Sequence, residues 1–146
     1  MPTAGVFKGG MNMSRKLVIL LAVAVLLLAA CTGAGGNAAN GEKLFQQATL
    51  GKDNVAGCAA CHSVEPDKVI VGPSLAGIAT DAAGSVTESE YVGKAKTAAE
   101  WLRESLLQPD ADVAEEFPDN VMPKNYKDEL TDQQVSDLVA YLLTLK

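Results

Sequence analysis

The chain has 146 residues, 18 of them acidic and 12 basic, and its formal net charge at pH 7 is −6. This length suits a single domain. The acidic surface argues against nucleic-acid binding because it would repel phosphate, and it favours a basic protein partner. Aromatic residues make up only 5% of the chain. A domain with so few large apolar side chains gains from burying a prosthetic group.

The first 30 residues are typical of a targeting segment. An unbroken apolar run of 14 residues extends from Leu17 to Ala30 and directly follows Arg15 and Lys16. A membrane-spanning helix needs roughly 20 apolar residues, so the run fits the core of a signal peptide better than an uncleaved membrane anchor, which is the alternative. We therefore predict a signal peptide at residues 1–30.

Cys31 follows the apolar run directly, after small residues. This arrangement resembles the lipobox of bacterial lipoproteins, in which the cysteine is lipidated and becomes the first mature residue. It predicts lipid attachment at Cys31, with an ordinary cleavage site near a chance cysteine as the alternative. Residues 31–39 are Gly-rich and uncharged, which indicates a flexible tether with a reach of about 15–18 Å, and residues 40–146 are predicted to form the domain.

The domain shows three helical segments and no stretch with the alternating pattern of a strand, which indicates an all-α fold. Asn40 is the predicted N-cap of a first helix over residues 41–47. A second helix follows Thr97, which can form a capping box with Glu100, and it ends before Pro109.

The third and clearest helix follows Thr131, which can form a second capping box with Gln134. Its apolar residues recur at helical spacing, and they are Val135, Leu138, Val139, Leu142 and Leu143. Residues 63–96 and 110–127 lack such a pattern and are predicted as loops, with one helical turn near residues 74–79.

Cys58, Cys61 and His62 form the pattern of a c-type haem attachment site. The two thiols of such a site add across the vinyl groups of haem, and a histidine directly after the second cysteine can reach the iron from the same turn. A zinc site needs four ligands, and His62 is the only histidine in the sequence. A thioredoxin-like site needs a βαβ context that this sequence lacks, so a plain disulfide between the two cysteines is the remaining alternative.

Residues 40–146 resemble the class I, monohaem cytochromes c. Besides the haem motif, the residues that carry the resemblance are Gly41, Phe45, Gly72, Pro73 and Leu75. It implies a cytochrome c fold, in which three to five short helices and long loops wrap around one covalently bound haem c. It also implies that the first and last helices cross near Tyr141, and that the carbonyl of Pro73 accepts a hydrogen bond from the axial His62.

The second axial ligand in that family is a methionine in the loop before the C-terminal helix. Met122 lies in such a loop, whereas Met1, Met11 and Met13 lie in or before the signal segment. A methionine is more often a core residue than a ligand, but Met122 is surrounded by polar residues and flanked by proline, which argues against a core position. The resemblance therefore implies that His62 and Met122 are the two axial ligands.

The segment from Trp101 to Met122 is similar to cytochrome c domains of bacterial respiratory complexes. This resemblance makes Trp101, Arg103 and Tyr126 candidates for contacts with the haem propionates. A core position for Trp101 and an exposed ion pair for Arg103 are the alternatives.

The resemblance implies a single-electron carrier rather than an enzyme. Its haem c would pass electrons between or within respiratory or photosynthetic complexes, and its partners would be redox proteins or a membrane electron-transfer complex. Lipid on Cys31 would hold it at the extracytoplasmic face of a bacterial membrane. One alternative is a haem subunit fixed in a larger membrane complex. Another is a haem peroxidase or a gas sensor, and peroxidase chemistry is disfavoured because the sequence has no second histidine.

Overall fold

A computed structural model describes residues 35–146 of the chain. Its helices in chain order are α1 (Ala38–Phe45), α2 (Ile78–Ser85), α3 (Ala98–Leu107), α4 (Tyr126–Glu129) and α5 (Asp132–Leu142). In this part of the chain the only sheet is an antiparallel hairpin of two-residue strands, β1 (Thr49–Leu50) and β2 (Val55–Ala56). The predicted all-α fold of three to five short helices and long loops is confirmed.

Several predictions concern residues before this region. The predicted signal peptide at residues 1–30, the lipid site at Cys31 and the first part of the tether lie outside the described residues, so they stay predictions. Between residues 35 and 146, no helix is both long and apolar enough to cross a membrane.

Helix α1 begins three residues earlier than predicted. Its N-cap is Asn37, whose side-chain oxygen accepts a hydrogen bond from the backbone N–H of Asn40 at 3.1 Å, so the prediction of Asn40 as the cap is wrong. A distant contact selects Asn37, because its own backbone N–H donates to the Asp137 carboxylate at 2.7 Å. Residues 37–39, which were predicted as tether, therefore belong to the folded unit.

Helices α1 and α5 cross closely at Gly41. A Cβ at this position would lie 1.9 Å from the carbonyl oxygen of Asp137, so only glycine permits the approach. Near the crossing, the rings of Phe45 and Tyr141 pack with centroids 5.5 Å apart and planes tilted by 56°. The predicted crossing of the first and last helices near Tyr141 is confirmed.

The two predicted capping boxes have different outcomes. At α5 both bonds form, with the Thr131 N–H donating to the Gln134 side chain at 2.9 Å and the Gln134 N–H donating to the Thr131 hydroxyl at 3.2 Å. At α3 the Thr97 hydroxyl accepts from the Glu100 N–H at 3.2 Å. The Glu100 carboxylate, however, accepts from the backbone N–H of Lys96 at 2.7 Å, so only half of the predicted box is present.

Helix α2 lies in a segment that was predicted as a loop, and the first two residues of α4 do as well. The helical turn expected near residues 74–79 is replaced by a two-turn helix that starts at Ile78. Helix α2 has no side-chain cap, and it is held by a small apolar cluster in which Ala82, fully buried, packs with Leu102 of α3 and Val139 of α5. Tertiary contact rather than local pattern therefore produces this helix.

Candidate cofactor site

The predicted attachment residues lie on one tight turn. Residues Cys58–Ala60 form a single 3-10 turn, and the backbone N–H groups of Cys61 and His62 both donate to the carbonyl of Cys58, at 3.1 and 2.9 Å. The turn starts at Gly57, whose N–H donates to Ala48 at 2.9 Å. The two thiols and the imidazole therefore leave the backbone within one compact unit.

The two cysteines are free thiols and both are half-buried, so the alternative of a plain disulfide is not observed. Burial, with a smaller contribution from the charge of the neighbouring Cys61, raises the pKa of the Cys58 thiol to about 11. Among residues 35–146, no three His, Cys, Asp or Glu side chains converge as ligands of a metal ion would. The zinc alternative thus has no ligand set in this region.

The imidazole of His62 is oriented by the main chain. Its Nδ1 lies 2.9 Å from the carbonyl oxygen of Pro73, and because a carbonyl only accepts, Nδ1 must carry the proton. The lone pair is then on Nε2, which is left to bind a metal. The contact expected between Pro73 and His62 is present.

The loop that carries Pro73 is folded tightly against the attachment turn. The backbone N–H groups of Val71 and Gly72 both donate to the carbonyl of Cys61, at 3.2 and 2.9 Å. A Cβ at Gly72 would lie 2.5 Å from Cε1 of His62, so a glycine is needed where the loop passes the imidazole ring. Backbone hydrogen bonds and the close approach of Gly72 to the imidazole therefore fix this side of the site.

Met122 lies in a loop whose ends are joined by polar contacts. It is half-buried, and it packs against the same apolar cluster that Cys58 contacts. The carboxylate of Asp110 accepts from the backbone N–H of Asn120 at 3.0 Å and forms an ion pair with Lys124. These contacts lower the pKa of Asp110, with the Lys124 bond as the larger cause. One carboxylate thus holds both sides of the short segment that presents Met122.

The three candidates for propionate contacts each make a polar contact within the protein. The indole N–H of Trp101 donates to Asp112 at 2.7 Å. The guanidinium of Arg103 pairs with Asp132 at 2.6 Å in an exposed position, as its alternative interpretation predicted.

The hydroxyl of Tyr126 donates to the carbonyl of Ala56 at 2.6 Å, and the residue is only 3% exposed. This contact has no sequence signal, because 70 residues separate donor and acceptor.

The residues at this site fit a covalently attached haem. They provide two free thiols on one turn, an imidazole with Nε2 available, and a thioether on a loop that packs on the same apolar cluster. Three consecutive apolar side chains, Val69, Ile70 and Val71, are 60, 48 and 51% exposed, and the backbone of Val69 pairs with that of His62.

Comparison with known proteins places these features in context. The sequence profile of a family described as "Cytochrome c" matches residues 38–146, which begin with the first residue of α1. Cytochrome c2 of Rhodopseudomonas palustris is 31% identical over 125 residues, which cover 75% of this chain and 99% of that protein.

Two further relatives are similar over shorter alignments. Cytochrome c2 iso-2 of Magnetospirillum molischianum is 36% identical over 94 residues, or 61% of this chain and 91% of the relative. Cytochrome c2 iso-2 of Magnetospirillum fulvum is 37% identical over 93 residues, or 60% and 91%.

Proposed function

The chain belongs to the cytochrome c family, and we propose that it is a lipid-anchored electron carrier whose haem iron is bound by His62 and Met122. As a class I, monohaem, cytochrome c2-like protein it binds one covalent haem c and transfers electrons rather than catalysing a reaction. When bound, the haem supplies an iron that alternates between ferrous and ferric states. We propose, in addition, the roles of single residues, the membrane anchor and the partners.

The observation that carries the proposal is the 2.9 Å contact between Nδ1 of His62 and the carbonyl of Pro73. A histidine ligand almost always donates its other ring N–H to such an acceptor, which fixes the tautomer and makes the coordinating nitrogen more basic. Cys58 and Cys61 would attach the haem through thioethers on the same turn. The attachment and the first axial ligand would then share one rigid segment.

Met122 would be the second axial ligand. A thioether opposite imidazole raises the potential of a cytochrome c, and a fully ligated iron leaves no position for a substrate. This arrangement favours electron transfer over peroxidase chemistry or gas sensing. The loop closed by Asp110 and Lys124 supports the assignment, because it holds the half-buried Met122 against the apolar cluster that Cys58 also contacts.

The proposed partner surface is beside His62. Residues 69–71 expose three apolar side chains there, and an exposed apolar patch is a common protein contact. Residues 35–146 carry nine basic and 18 acidic side chains, a net charge of −9. A redox partner with a basic surface around an apolar contact would complement both features.

Lipid on Cys31 would keep the carrier at the extracytoplasmic face of a bacterial membrane, near respiratory or photosynthetic complexes. The intact mass of protein extracted from membranes tests this: haem plus lipid on a chain that begins at Cys31 is expected. A matched pair of variants, Cys31→Ser and Cys58→Ser, separates the two attachments. The first should release a haem-bearing protein into the soluble fraction, and the second should stay membrane-bound with its haem attachment impaired.

A mass that retains Met1 or Met13, or one without lipid, would contradict the anchor and leave the electron carrier standing. A mass without haem would contradict the covalent site. Copurification with a membrane complex at fixed stoichiometry would favour the second candidate, a haem subunit of that complex.

A further inference from the structure

We propose that Tyr126 is a positioning residue, whose hydroxyl holds the Met122 loop in register with the turn that carries Cys58 and His62. This inference rests on the proposed ligation by Met122. It assigns to Tyr126 a role different from the propionate contact suggested by its sequence context.

The donor, the Tyr126 hydroxyl, belongs to the segment that directly follows the methionine loop. Tyr126 is the first residue of α4 and follows Met122 by four positions. Its hydroxyl donates a hydrogen bond of 2.6 Å to the carbonyl of Ala56. Since Tyr126 is only 3% exposed, water has little access to the donor. The carbonyl of Ala56 therefore fixes the position of the chain where it leaves the methionine loop.

The acceptor, the carbonyl of Ala56, is held by the β1–β2 hairpin. Ala56 ends β2 and lies two positions before Cys58. It pairs with Thr49 across the hairpin, and the next residue, Gly57, donates its N–H to Ala48 at 2.9 Å. The acceptor thus belongs to the frame from which the haem-attachment turn starts.

Helix α4, which begins at Tyr126, is held to the hairpin at both of its ends. With four residues, α4 is too short to fix its own position, so its attachment to the hairpin decides where it lies. Glu129, at its far end, accepts hydrogen bonds from the Lys52 side chain at 2.8 Å and the Asp53 backbone at 3.0 Å. Tyr126 provides the attachment at the end nearer to Met122. Its bond therefore limits how far the methionine loop can move from the attachment turn.

The expected consequence is a shift in ligand exchange. An external ligand can bind the iron at this side only after the methionine has left, so its apparent affinity reports the open population of the loop. Replacing the hydroxyl with hydrogen keeps the aromatic ring in the core and removes only the tie to Ala56. The open population should rise while the rest of the domain is unchanged.

The experiment is an imidazole titration of the ferric holoprotein, followed by loss of the weak far-red absorption band of methionine-bound iron. Tyr126→Phe should bind imidazole about five- to tenfold more tightly than wild type, the effect of losing one buried hydrogen bond. Tyr91→Phe is the matched control. It likewise removes a phenol hydroxyl, but one in the loop before α3 that donates to the side chain of Glu104, and its imidazole affinity should stay within about twofold of wild type.

Three results would overturn the inference. They are equal imidazole affinity in Tyr126→Phe and wild type, an equal rise in both variants, and failure of Tyr126→Phe to form holoprotein, since a global folding role is not a local tie. Failure of the proposed function gives a different result, because wild-type protein would then lack the methionine band from the start.

Discussion

The two sides of the proposed haem differ in how their ligands are held. His62 is fixed by backbone hydrogen bonds and a close approach within residues 57–73. The position of Met122 depends on two side chains, the carboxylate of Asp110 and the hydroxyl of Tyr126. Their hydrogen-bond partners are 10 and 70 residues away in the sequence. Backbone geometry in a compact segment changes little with solution conditions, whereas ion pairs and single side-chain bonds do. The methionine side should therefore open first.

The largest expected effect is on the histidine side, from Gly72→Ala. The new Cβ would meet the imidazole of His62 at 2.5 Å, so the ring must move away from the Pro73 carbonyl. We expect a loss of about 1–3 kcal/mol in the free energy of unfolding, as for an overpacked core, together with a changed haem spectrum. Urea unfolding and the visible spectrum measure both.

Gly84→Ala is the control for this variant. A Cβ at Gly84 meets nothing within 4 Å, and alanine inside a helix is favoured over glycine by roughly 0.5–1 kcal/mol. This variant should be as stable as wild type or more so. Equal destabilisation by both substitutions would show that the close approach at His62 does not matter.

The next effect is on the methionine side, from Asp110→Asn. This change removes the charge that pairs with Lys124 and weakens the bond to the Asn120 N–H. The methionine band should disappear at a lower urea concentration than the far-UV circular dichroism of the helices. Asp119→Asn, an exposed position in the same loop, should keep the two transitions as close as in wild type. Coincident transitions in the Asp110 variant would contradict a separate opening of this side.

A smaller effect concerns acid stability through Glu129. The Lys52 bond, followed by the Asp53 N–H, lowers the pKa of Glu129 to about 2. A carboxyl whose folded pKa is depressed stabilises the fold above its unfolded pKa, near 4.5, and this contribution is lost as the pH falls toward 2. In Glu129→Gln the free energy of unfolding should be lower than in wild type at pH 6, and the difference should shrink by pH 3. A pH-independent difference would exclude this ionisation as the cause.

The smallest effect is expected for Arg103→Ala. Its ion pair with Asp132 is exposed, and such pairs contribute about 0–1 kcal/mol. The reduction potential should be unchanged, because the guanidinium of Arg103 pairs with Asp132 of α5. A clear shift of the potential in a redox titration would restore Arg103 as a propionate contact.

The sequence was sufficient where the signal is local. Cys58 and His62 are neighbours on one turn, and α5 has both an apolar stripe and a complete capping box. The first cap was misplaced, because Asp137, a hundred residues away, selects Asn37 over Asn40. Helix α2 was missed because Ala82 is buried by neighbouring helices rather than by an amphipathic pattern of its own.

The hydrogen-bond partners of side chains outside the haem motif could not be predicted from the sequence. Trp101 and Arg103 each form a hydrogen bond with one aspartate. Because the chain has 18 acidic residues, the sequence does not indicate which of them is the partner. The partner of Tyr126 is a backbone carbonyl, and since every residue has one, the sequence gives no signal for this contact. Such contacts follow from tertiary structure, whereas the haem motif and the proposal of Met122 as a ligand rest on residue type and order.

The central claim, a haem held between His62 and Met122, is tested most directly by the visible spectrum of the oxidised holoprotein at neutral pH. We predict a weak far-red band in wild type, its loss in Met122→Ala, and its retention in Val121→Ala, where the adjacent side chain is half exposed. A wild-type protein without the band, or a Met122→Ala variant that keeps both the band and the potential, would contradict the account.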